Sequence, residues 1–96
     1  MKANKYVISD LISTAQTANK YARAARGAIK IEDCENAGNK YAMWYHVLFE
    51  KIALLNLADD NFVYYAKYDE RHGVYSDVFA ICKQSLKTEK ITTWNV

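Results

Sequence analysis

Phe62–Arg71, FVYYAKYDER, is the stretch on which the fold turns. As a strand it alternates Phe62, Tyr64, Ala66 and Tyr68 on one face, in a run of aromatic and β-branched residues that suits a pleated surface. As a helix it places Phe62, Tyr65 and Ala66 on one side and stops before Gly73. The segment alone fits both periods, so its surroundings decide. The 96 residues contain no proline, and only Gly27, Gly38 and Gly73 are available as strong breakers. Such a chain favours long helices joined by short connections over a turn-rich sandwich or barrel. A short helix is therefore the expectation here.

Upstream lies the densest apolar run, Tyr41–Leu57, YAMWYHVLFEKIALLNL. Tyr41, Trp44, Tyr45, Leu48, Ile52 and Leu55 form one helical stripe; Met43, Val47 and Leu54 form a second line, with Phe49 off both. A helix apolar on most sides is central to a bundle or covered by a partner. The stripe extends back through Ala37 and Cys34, so the helix is expected from Asp33 as N-cap. Gly38 then sits inside it at a cost of about 1 kcal/mol relative to alanine. Before it, Asn4 or Lys5 to about Arg26 reads as a helix. Its stripe Val7, Ile8, Leu11, Ile12, Ala15, Ala18, Ala22, Ala25 and Ile29 is alanine-rich in its second half, which lets another helix approach closely. Downstream, Val74–Leu86 places Tyr75, Val78, Phe79, Cys82 and Leu86 on one helical face, and Ile91–Val96 looks extended, docking through Trp94.

The expected fold is all-α: a small bundle of three to four helices around a central apolar helix at about 33–57, with an extended C-terminal tail, residues 1–96 making a single domain. The alternative is α+β, with a hairpin in residues 62–82. A chain of this length hides only about 60–65% of its unfolded surface, so one modest core is the limit. At 51% apolar and 25% charged residues it is globular rather than disordered.

The net charge is only +2, but it is unevenly spread. Residues 1–30 set six cations against Asp10, whereas 31–60 set Lys40 and Lys51 against six acids. Such asymmetry is internal complementarity or a surface for a partner. Cys34 and Cys82 make no disulfide scaffold and are reduced thiols by default. The first residues lack the apolar segment of a signal peptide, and no run reaches the roughly 18 apolar residues that span a bilayer. The expected location is the cytoplasm, with no membrane partner.

Few residue patterns propose chemistry. His46 and Glu50 are one helical turn apart and within mutual reach, as a general acid–base pair requires, but a surface ion pair explains them more simply. Asp69, Glu70 and His72 sit near an expected helix end, where a cationic histidine suits the dipole. Cys34, His46, His72 and Cys82 have zinc-binding atoms, yet their spacings of 12, 26 and 10 residues lack the short ligand pairs of structural zinc sites. No phosphate-cradling, zinc-protease or nucleophile-elbow motif is present, and neither cofactor nor metal is expected.

Two surfaces remain. Lys20, Arg23, Arg26 and Lys30 form a basic stripe that could address phosphates, the alternative being a solvated face that pairs with Glu32, Asp33 and Glu35. Aromatic density is the less ordinary feature: a small core holds few positions deep enough for so many rings, so some of Tyr64, Tyr65, Tyr68 and Tyr75 are expected at an interface. The favoured expectation is a small non-catalytic protein-interaction module, a regulator or inhibitor that occludes a surface of a larger protein partner or acts as a homodimer. Its size matches many accessory proteins of phages and other mobile elements. The alternative is nucleic-acid binding through the basic stripe.

Overall fold

A computed structural model describes residues 4–96. Helix α1 spans Lys5–Gly27 and helix α2 spans Ile31–Ala58; three strands follow, β1 (Phe62–Tyr68), β2 (Val78–Ser85) and β3 (Ile91–Asn95). A short 3-10 segment, Glu70–Tyr75, joins β1 to β2. The strands form an antiparallel sheet in the order β1-β2-β3. The fold is therefore α+β, and the all-α expectation is corrected in favour of its alternative.

The helices start and stop for local reasons. Asn4 caps α1, its side chain accepting from the Tyr6 and Val7 amides at 2.9 and 3.1 Å, which satisfies two of the amides a helix start leaves free. The chain leaves helical geometry after Gly27, so Ile29 lies in the connection and is fully exposed rather than continuing the apolar stripe. Helix α2 begins two residues before Asp33, which lies with Glu32 in the first turn and complements the dipole instead of capping it. Two long helices joined by three residues pack side by side. They account for the 48 Å long dimension of the molecule, since 28 helical residues span roughly 42 Å.

Side by side, the helices leave a broad apolar surface built from Leu11, Leu48, Ile52 and Leu55, and this surface selects the sheet. Strand alternation turns Tyr64 of β1 and Ile81 of β2 onto it, and Val78 joins them; all three are essentially buried. Read as a helix, Val74–Leu86 would bury Phe79 and Leu86, which are 49% and 59% exposed, and would leave out Ile81, which is fully buried. Ala66 pairs with Ile81 and Tyr64 with Lys83, with a bulge after Lys67. The extended tail becomes a full third strand, pairing Trp94 with Ile81 and packing it against the core.

Beyond this core the helices close on small residues. Ala18 and Ala22 are fully buried beside Tyr41, with Trp44 and Tyr75 packed around them. Gly38 has its reason here: a Cβ at this position would lie 2.7 Å from the Tyr75 hydroxyl oxygen, so the glycine is what lets the 3-10 segment seat its tyrosine against α2.

Two asparagines tie helices to strands. Asn19 of α1 donates to the Val78 carbonyl and accepts from the Val78 amide, both at 2.8 Å. Asn56 of α2 does the same to Tyr64, at 3.0 and 2.7 Å. Each carboxamide presents the donor and acceptor that a neighbouring strand would.

Candidate protein-binding groove

Between α2 and β1 runs a groove in two connected parts. The deeper part, of about 180 Å³, lies between Leu48, Ile52 and Ala53 of α2 and Tyr64 and Ala66 of β1. The open part, of about 540 Å³, continues past Tyr41, His46, Glu70 and Val74. Tyr45, Phe49 and Tyr68 line both. Tyr45 is the hub, its ring centroid 5.6, 5.3 and 5.7 Å from those of Tyr41, Phe49 and Tyr68, separations at which aromatic pairs attract beyond their burial. Burial, and then the neighbouring Tyr68 hydroxyl, push the Tyr45 phenol well above its usual range.

The structure separates the four tyrosines singled out from sequence. Tyr64 is 1% exposed, and its hydroxyl donates to the buried Asp59 carboxylate at 3.2 Å; it is a core residue. Tyr65 borders the deep part of the groove but is in register with Cys82, on the sheet face away from the helices. Tyr75 packs edge-on against Tyr41 at 5.9 Å, beside Gly38. Tyr68 alone of the four lines both parts of the groove. Its companions Tyr41, Tyr45 and Phe49 come from α2, where the spacing of the two tyrosines reads as core. The clue that separates them is Phe49, which falls off both apolar lines and is half exposed.

The basic stripe is likewise divided. Arg26 donates to the Tyr75 carbonyl at 2.6 Å and grips both carboxylate oxygens of Asp77 at 3.0 and 3.2 Å. It therefore braces the 3-10 segment instead of standing free. The Lys20 ammonium lies 5.5 Å from the Tyr21 ring centroid, as does that of Lys40. Arg23 and Lys30 are exposed. Among the described residues the ion-pair partner of the stripe is Asp77, not Glu32, Asp33 or Glu35.

The two histidines each lie near an acidic neighbour at the surface. His46 Nε2 lies 3.0 Å from Glu50 Oε1 with both side chains largely exposed. Arg71 holds the Asp69 carboxyl well below the usual carboxylate range. Asp69 also caps the 3-10 segment and lies 3.7 Å from His72. No group of three or more His, Cys, Asp or Glu side chains among the described residues could hold a metal. Cys34 is half-buried, and Cys82 is buried in register with Tyr65. No described helix is long and apolar enough to cross a membrane. Comparison with known protein families, characterised proteins and solved structures finds no match for this chain.

Proposed function

We propose that this chain is a small non-catalytic protein-interaction module of the cytoplasm. It regulates or inhibits a larger protein by occluding part of that protein's surface, and its working face is the groove between α2 and β1. The observation that carries this reading is Tyr45, Phe49 and Tyr68 lining both parts of one groove. Rings with few rotatable bonds, set in a concave apolar site with a polar rim, are the usual energetic centre of a protein interface. Nucleic-acid binding is the lesser reading, because Arg26 is spent on Asp77 and the stripe loses its middle.

Partner capture from the native source tests this with three baits: the wild type, Phe49→Glu in the groove and Leu57→Glu outside it. The expected result is a protein retained by the wild type and Leu57→Glu and lost with Phe49→Glu, and identical retention by all three rejects the groove. A strict monomer in sedimentation at high concentration removes the homodimer form of the reading. Salt-sensitive binding of nucleic acid that Arg23→Glu abolishes would favour the alternative.

A further inference from the structure

The groove runs beside an edge strand, and the two features together specify what kind of segment fits. In an antiparallel pair, the backbone groups facing away from the partner strand recur at every second residue. Tyr64 is one such residue, because Asn56 takes both its amide and its carbonyl from the helix side. Ala66 is the next. Its amide and carbonyl face the same open side, at the wall of the groove, and among the described residues no side chain bonds to them. Asn56 thus closes one end of the edge and leaves the end beside Tyr45, Phe49 and Tyr68 available.

The charge at this end is acidic. Glu70 lines the open part of the groove and has no ion-pair partner among the described residues. On α2, His46 lines the same open part, and its charge is offset by the exposed Glu50, 3.0 Å away. The Asp69–Arg71 pair cancels, and Lys67, in register with Ala80, belongs to the far face of the sheet.

Building on the protein-binding reading, we propose that the groove's occupant is an extended segment of the partner that adds to β1 as a fourth strand at Ala66. Its apolar side chains enter the groove every second residue, and a lysine or arginine of the segment meets Glu70. Backbone pairing holds such a segment, and the pockets beside it choose its side chains. Because Asn56 already occupies Tyr64, the added strand is short. The expected affinity is therefore micromolar rather than nanomolar.

The test uses fluorescence polarisation with two labelled synthetic peptides, one alternating lysine and leucine and the other alternating glutamate and leucine. Against the wild type, the lysine peptide should bind at least about tenfold more tightly, and salt should weaken it. Glu70→Lys should remove that preference. Ala66→Pro deletes the outward amide at an edge position where proline is tolerated, and should weaken the lysine peptide by about tenfold. Circular dichroism checks that each variant is folded. Should Ala66→Pro not fold, the Glu70→Lys comparison alone decides.

Equal binding of the two peptides, or no binding of the lysine peptide at millimolar concentration, overturns the proposal. So does a folded Ala66→Pro variant that binds unchanged. Self-association that Ala66→Pro abolishes would also overturn it, by making a second copy of this chain the occupant. In each case the protein-binding reading itself survives if Phe49→Glu still releases a captured partner, so the two failures are distinguishable.

Discussion

Asn19 and Asn56 do the same chemistry in opposite surroundings. Each carboxamide closes on both the amide and the carbonyl of one strand residue, with all four distances between 2.7 and 3.0 Å. Asn19 is 6% exposed, at the start of the central strand where α1 meets the sheet; Asn56 is exposed at the edge of β1. The buried clamp holds the architecture together, because the groups it satisfies have no water to fall back on. The exposed clamp competes with water and contributes less to stability, but it occupies a stretch of edge that another chain could otherwise pair with. Identical hydrogen bonds therefore do different work according to what replaces them when they are lost.

Substituting aspartate at both sites tests that difference most strongly. In Asn19→Asp a carboxylate is buried against the Val78 carbonyl, and the expected loss is about 3–5 kcal/mol. In Asn56→Asp, where water screens the same repulsion, about 1 kcal/mol is expected. Urea unfolding midpoints measure both, and equal losses would break the comparison. Next in size, Asn56→Ala should cost about 1 kcal/mol and make light scattering depend on protein concentration, because the Tyr64 backbone becomes available to a second chain. A folded Asn19→Ala variant should stay monomeric, since the backbone it uncovers lies inside the molecule.

The smallest effect concerns alkaline pH. Burial raises the phenol pKa of Tyr41, Tyr45 and Tyr64 above the ordinary value of 10.0. Below about pH 10 both folded and unfolded chains keep these protons, and stability is at its full value. As pH rises past 10 the unfolded chain releases its protons first, so stability falls. Urea midpoints between about pH 9 and 11 should show this decline, and Tyr45→Phe should make it shallower. An unchanged slope would show that Tyr45 is not buried against Tyr68 as described.

The helices were legible because their causes are local. Asn4 caps the amides next to it, and the apolar period of α1 and α2 needs no distant residue to be recognised. The strands were not, because β1 is defined by pairing with β2 and by the apolar surface of the two helices. For the groove, the sequence pointed to aromatic density but not to its arrangement. Tyr68 lines it, Tyr64 is buried, Tyr45 had the spacing of a core helix, and Phe49 fell off both apolar lines. Only when α2 lies along an edge strand do those rings become the walls of a cleft.

The sequence by itself determined two long amphipathic helices, a close approach on alanine and a surplus of aromatic rings. These follow from side-chain period and size. Tertiary structure decided the rest: that Phe62–Tyr68 is a strand, that Arg26 is bound to Asp77, and that one asparagine is a buried clamp while the other guards an edge. Each of these depends on groups far apart in the chain, whose hydrogen bonds, ion pairs and burial exist only once the helices and sheet have met.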